Sequence, residues 1–289
     1  MLQDEATLSP ALLDADYTAR LTVNDADFAR IIGDYEGLTT AAQNSPTFCS
    51  EIEFCPETGL KLDLYGTKPG AVRPLVIYVH GGYWRLLGRE HSGFAAPMLA
   101  AQGIACAVPD YRLAPGVSIT EIIGDCRRAL AHLWHNAAAL GIDRDRIVVT
   151  GSSAGGHLAA ALAQPGWQAD LGLPEQALHG CLPVSGLFEL APLAASSVQD
   201  WMRFTPEELA QSPMRHLPQG LNGAVALAAG KGEVAGFHRQ SEAYAKATGW
   251  PLMRIKGRNH FDVILDLARP DSALSQALIG LVQARTKAS

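Results

Sequence analysis

The run Gly151-Ser152-Ser153-Ala154-Gly155 follows directly on the apolar stretch RIVVT at 146–150. Glycine, serine and glycine at alternate positions after a strand let the chain turn sharply into a helix and hold the Ser153 hydroxyl out for attack on a carbonyl. A second turn, His80-Gly81-Gly82, follows another buried-strand run, PLVIYV at 74–79. Its glycines permit close backbone approach, so the amides of Gly81 and Gly82, with that of Ala154, can face a developing oxyanion. The chemistry implied is covalent hydrolysis.

Serine is a weak nucleophile at neutral pH and needs a base. Of nine histidines, His260 lies beyond the last strand signal and after the nucleophile in chain order. His157 is too near Ser153 along the following helix and is expected to pack or orient the turn. Glu233 follows AVALAAGKG, just past the penultimate strand, and is the carboxylate expected to fix the imidazole tautomer. Asp262 is expected to cap the helix after His260, and Asp266 to lie within that helix. In the resulting cycle Ser153 attacks, His260 takes and returns the proton, and water clears the acyl group. Neither half requires a cofactor or a metal.

Residues 11–44 suit short helices packed outside a sheet, and FCSEIEF and LKLDLYG flank PETG as an antiparallel hairpin. PLVIYV, IACAVP and RIVVT alternate with helical stretches near 91–102 and 119–140, the cadence of crossover connections on a parallel sheet. CLPVSG, AVALAAG and PLMRIKG supply later strands, with a helix at 237–249 between the last two. The order predicts an α/β fold: one domain over 1–289 with a mainly parallel central sheet covered by helices on both faces. Residues 186–222 are expected to form a small helical or loop cap or pocket wall.

The net charge of -6 and 18% charged residues fit a solvated surface and offer no basic footprint for nucleic acid. The five cysteines, Cys49, Cys55, Cys106, Cys126 and Cys181, show no metal-ligand spacing and read as reduced thiols. No apolar run reaches the roughly 20 residues of a membrane span, and the acidic N-terminus does not resemble a signal peptide. A cytoplasmic enzyme acting on a small molecule and water, away from membranes, is the expectation.

HGGYW at 80–84, GSSAGGHLAA at 151–160, FHRQS at 237–241 and GRNHFDVI at 257–264, with YRLAP at 111–115, resemble the arylformamidase, or kynurenine formamidase, branch of the α/β-hydrolase superfamily. The resemblance covers most of the chain. It implies an α/β-hydrolase fold, cleavage of small aryl formamides or amides such as N-formylkynurenine, a general-esterase alternative, and no metal. It matches Ser153, Glu233 and His260 to the catalytic residues. Two departures bear on the pocket: Ser152 stands where many relatives carry histidine, and the acid loop reads AGKGEVAGF instead of a GGDE-like form. Tyr83 and Trp84 beside the oxyanion turn, with Phe188 and Trp201, are candidates for an aromatic wall against an aryl ring. Arg85 is a candidate for orienting a substrate carboxylate. A non-catalytic ligand-binding protein on the same scaffold is the reading from another class.

Overall fold

The computed structural model describes residues 2–219, 221 and 227–284. Eight strands form one sheet: β1 (Cys49–Cys55), β2 (Leu60–Tyr65), β3 (Arg73–Val79), β4 (Ala105–Pro109), β5 (Ile142–Ser152), β6 (Gly180–Val184), β7 (Leu227–Gly230) and β8 (Leu252–Ile255). Their order is β1-β2-β4-β3-β5-β6-β7-β8. β1 and β2 form the expected hairpin, β2 also pairs antiparallel with β4, and every pairing from β4 through β3 to β8 is parallel. Of the AVALAAG strand, residues 224–226 lie outside the described residues, as do 220 and 222 of the expected cap.

The strands read as unbroken apolar runs because both sheet faces are covered. Side chains alternate across a strand, so Leu75, Ile77 and Val79 enter one core while Val76 and Tyr78 enter the other. The first core is closed by Ile122, Cys126, Ala129 and Leu133 of the helix Ile119–His135 and by the helix Ala154–Leu162. The second is closed by Ile31 and Tyr35 of the helix Asp25–Gln43 and by Leu274, Leu278 and Val282 of Ala273–Gln283. Each such aliphatic side chain contributes about 1.5–3 kcal/mol on burial.

Helix boundaries differ from expectation where local chemistry intervenes. The stretch 91–102 is α-helical only over Ala96–Ala101, since Pro97 is tolerated only within the first turn, and is preceded by the 3-10 turn Arg89–His91. Ile119–His135 begins with a capping box in which Ser118 and Glu121 bond each other's backbone N–H. Residues 10–43 hold a short helix, Pro10–Tyr17, and a 19-residue one, Asp25–Gln43. Residues 186–219 fold as three one-turn α-helices and a 3-10 turn, with Leu187, Leu190, Leu193 and Met202 buried in the first core.

Candidate active site

Ser153 stands between β5 and the helix Ala154–Leu162 with φ 60° and ψ -119°, a conformation non-glycine residues seldom adopt. Its own N–H donates to the Val184 carbonyl at the end of β6, 2.9 Å away. The flanking glycines are demanded by backbone proximity. A Cβ on Gly155 would lie 2.0 Å from the Val79 carbonyl oxygen, and one on Gly151 would lie 2.5 Å from that same atom. The elbow is thus seated backbone-to-backbone against the end of β3, directly where the His80-Gly81-Gly82 turn begins.

That turn closes over the serine. A Cβ on Gly81 would come within 2.8 Å of the Ser152 carbonyl oxygen and 3.5 Å of the Ser153 Cβ. Tyr111 Oη donates to the carbonyls of His80 and Gly81, at 3.0 and 3.1 Å. In a trans peptide the N–H points opposite to the C=O, so these bonds turn the Gly81 and Gly82 N–H groups away from Tyr111. The His80 ring stacks on Tyr111 at 4.0 Å. Burial lowers the His80 pKa to about 4, leaving the ring neutral as a support for the turn. From sequence, His80 is named only as the first residue of its turn and Tyr111 only within the YRLAP segment, neither with a role of its own.

His260 and Glu233 meet across loops following β8 and β7. His260 Nδ1 lies 3.2 Å from Glu233 Oε2, and the two side chains are 3% and 0% exposed. Glu233 Oε1 accepts from Ser185 Oγ at 2.5 Å and from the Gly230 N–H at 2.6 Å. Two donors on one oxygen fix the direction of the carboxylate toward the imidazole. Ser185, fully buried at the end of β6 with φ 49°, was not found from sequence. His260 rests on Phe237, ring centroids 4.2 Å apart. Asp262 occupies the cap position of the following 3-10 turn, but makes no side-chain cap bond there. Its carboxylate turns back to accept the Asn259 N–H at 2.7 Å and so braces the histidine loop. Asp266 lies in that turn and binds Arg258 at 2.6 Å.

Ser153, His260, Gly81 and Gly82 border one cavity of about 460 Å³, with Glu233 behind the imidazole. Tyr83 and Trp201 line it, joined by Phe28, Tyr35 and Phe261. Trp84 and Phe188 do not. Trp84 is fully buried, edge-on to His157 and Phe204, because its side chain turns into the core while Tyr83 faces the cavity. Phe188 is fully buried and stacks on Tyr244 at 4.1 Å. His157 packs beneath Trp84, and burial lowers its pKa to about 3. The N-terminal lead contributes Asp14, Tyr17, Thr18, Arg20 and Ile32 to the cavity wall, so it covers the site as well as the sheet. Among the described residues no group of three or more His, Cys, Asp or Glu could hold a metal ion, and no helix is long and apolar enough to cross a membrane.

Comparison with known proteins agrees with this architecture. The BD-FAE family profile matches residues 62–174. The kynurenine formamidase of Salmo salar is 28% identical over 278 residues, covering 92% of each chain. Carboxylesterase NlhH of Mycobacterium tuberculosis is 46% identical over 93 residues, 32% of this chain and 29% of its own. Among solved structures, a candidate thioesterase from Silicibacter sp. TM1040 superimposes with a TM-score of 0.77 at 28% identity, covering 94% of this chain and 98% of its own.

Proposed function

We propose that this chain, an α/β-hydrolase by fold and similar along its length to kynurenine formamidase, belongs to the arylformamidase-like branch and cleaves a small aryl formamide or related aryl amide, of the N-formylkynurenine kind, through an acyl-enzyme on Ser153. The observation that carries this reading is the buried Glu233–His260 pair at 3.2 Å, whose imidazole borders the same aromatic-walled cavity as the strained Ser153 elbow.

Ser153 Oγ attacks the carbonyl carbon while His260 Nε2 takes its proton, and Glu233 stabilises the imidazolium through Nδ1. The amides of Gly81, Gly82 and Ala154 receive the negative oxygen of the tetrahedral intermediate. The C–N bond then breaks, His260 returns the proton to the departing arylamine, and a formyl ester remains on Ser153. Water, deprotonated by His260, attacks that ester, releasing formate and restoring the serine. Tyr83, Trp201, Phe28 and Phe261 supply apolar and π surface for the aryl ring. The described part of the expected cap, residues 186–219, acts as a cavity wall in this reading, together with the N-terminal helices.

The same machinery opens esters, and local similarity to a carboxylesterase supports a short-acyl esterase as the second reading. Steady-state kinetics on N-formylkynurenine, formanilide and short acyl esters separate the two. Formamide turnover with loss of activity in Ser153→Ala is expected. Inert formamides beside efficiently cleaved esters would overturn the amidase reading, and failure of Ser153 to label with a serine-directed phosphonate would overturn the acyl-enzyme.

A further inference from the structure

The cavity reaches past Ser153 toward both faces of the sheet. Tyr83, Val198 and Trp201 wall it on the side of the first core, and Ile32, Tyr35 and Leu87 on the side of the second. Ser152 and Tyr78 form the floor of the second side. Ser152 on β5 pairs with Val184 on β6, and Tyr78 on β3 pairs with Thr150, two residues before Ser152. Paired residues of neighbouring strands share a face, as do alternate residues of one strand, so both side chains stand on the face of Val184, over the second core. They line the cavity at 6% and 2% exposure, and among the described residues neither hydroxyl has a hydrogen-bond partner. The other tyrosines of the wall are committed: Tyr17 Oη to Glu5 and Gln240, Tyr35 Oη to the Phe261 carbonyl, Tyr83 Oη to the Tyr17 carbonyl. Burial pushes the Tyr78 phenol well above its ordinary range, which keeps it a neutral donor. Two enclosed hydroxyls without partners suit a ligand that brings its own oxygen acceptor.

We propose that the side of the cavity over the second core is a subsite for acyl groups larger than formyl, in which Tyr78 and Ser152 hydrogen-bond an oxygen on the acyl β-carbon, so that the enzyme also hydrolyses aryl esters of 3-oxo and 3-hydroxy acids. The subsite rests on the Ser153 acyl-enzyme proposed above. With the aryl leaving group against Tyr83 and Trp201, the other substituent of the tetrahedral carbon falls on the opposite side of Ser153. Ser152 is the chain neighbour of the nucleophile, so its small side chain leaves room for an acyl chain close to the carbonyl and its hydroxyl meets that chain near its root. Ser153 Oγ bonds the carbonyl carbon, the C–O bond to the aryl group breaks, and the phenol departs with the proton held by His260. Water then cleaves the acyl–serine bond and releases the 3-oxo or 3-hydroxy acid. A formyl group leaves the subsite unfilled, and a plain alkanoyl group fills it with both hydroxyls unpaired, which is the source of the discrimination.

The test holds the leaving group constant in phenyl esters of formic, butanoic, 3-oxobutanoic and 3-hydroxybutanoic acids. The readout is the ratio of kcat/KM for each oxygenated ester over the butanoate, compared among wild type, Tyr78→Phe and Ser152→Ala so that intrinsic reactivity cancels. Each variant, with native circular dichroism, is expected to lower the ratio about three- to tenfold. Ser152→Val, which narrows the root of the subsite, is expected to lower kcat/KM for the butanoate relative to the formate about tenfold. Ratios equal to wild type in both Tyr78→Phe and Ser152→Ala would overturn the subsite while leaving the hydrolase assignment standing. Discrimination lost instead between phenyl acetate and 2-hydroxyphenyl acetate would place the two hydroxyls on the leaving-group side and overturn the acyl assignment. Calorimetric binding of phenyl 3-hydroxybutanoate and phenyl butanoate to Ser153→Ala, with and without Tyr78→Phe, reads the subsite apart from turnover. Affinity lost selectively for the hydroxy ester supports it even if Ser153 forms no acyl-enzyme, and an equal change for both esters refutes it.

Discussion

Glu233 is held from three sides, and that makes its surroundings the most informative place for substitution. Glu233→Gln retains an acceptor for His260 Nδ1 but removes the charge that stabilises the imidazolium, so a fall of about 10³-fold or more in kcat with native circular dichroism is expected. Wild-type activity in that variant would place the third role on another carboxylate. Ser185→Ala removes one of two donors on Glu233 Oε1 and leaves the Gly230 N–H in place. We expect kcat to fall about three- to tenfold with KM unchanged, since one charge-assisted hydrogen bond is lost. Because alanine inherits the positive φ of Ser185, a further Ser185→Gly variant separates backbone relief from the missing hydroxyl; recovery of kcat in Ser185→Gly would show that the hydroxyl has no part. The placement of Ser153 at the elbow, and of Glu233 and His260 beyond the last two strands, was legible because glycine-rich turns and strand ends mark those positions in sequence. Ser185 was not, since a serine after a strand carries no mark of its positive φ or of a partner 48 residues away. Trp84 was misread for a related reason: two aromatics after a glycine turn look alike, and only packing decides that Tyr83 faces the cavity and Trp84 the core.

At the level of elements, the strands were readable because burial on both faces requires continuous apolar runs, and the hairpin because its turn residues separate two alternating segments. The cap was less so. The N-terminal helices were expected to cover the sheet, whereas their place at the cavity follows from contacts distant in sequence. Arg239, on the helix Ala235–Thr248, binds Glu5 at 2.6 Å and Asp16 at 2.5 Å, Gln240 reaches Tyr17 Oη at 3.1 Å, and Tyr83 Oη bonds the Tyr17 carbonyl. The Arg239 ion pairs are only partly buried, so they contribute about 1 kcal/mol, too little for global stability to depend on them. Arg239→Met is therefore expected to raise KM about three- to tenfold while kcat and Tm change little, and an unchanged KM would detach the N-terminal lead from substrate binding. The elbow is the rigid counterpart. Gly155→Ala forces a Cβ to 2.0 Å from a β3 carbonyl and is expected to cost at least about 2 kcal/mol or prevent folding. Gly37→Ala, in a helix with nothing within 4 Å of the added carbon, should instead stabilise by about 0.5–1 kcal/mol. Urea denaturation of the two variants tests both signs, and a destabilised Gly37→Ala would contradict the helix geometry.

For the whole molecule, the same burial that supports the site ties stability to pH. His80, at the start of the His80-Gly81-Gly82 turn, and His157, on the elbow helix, are enclosed in the core, and desolvation lowers their pKa values from 6.5 to about 4 and about 3. Among the described residues His157 has no hydrogen-bond partner on either nitrogen. Unfolding releases each ring into water, where it binds a proton near its ordinary pKa. As pH falls below 6.5 the unfolded chain therefore takes up protons that the folded chain does not, and stability declines until pH reaches the folded values. At pH 5 each ring costs about 2 kcal/mol relative to neutral pH, on 1.36 kcal/mol per pKa unit. A net stability of only about 5–15 kcal/mol makes that a substantial share for two side chains. His157→Gln removes one of the two groups whatever it does to absolute stability. The loss of unfolding free energy between pH 7 and pH 5, measured by urea melts, is expected to be about 2 kcal/mol smaller in the variant than in wild type. An identical loss in both would mean that His157 already titrates normally in the folded protein, and hence that the packing beneath Trp84 admits water to the ring.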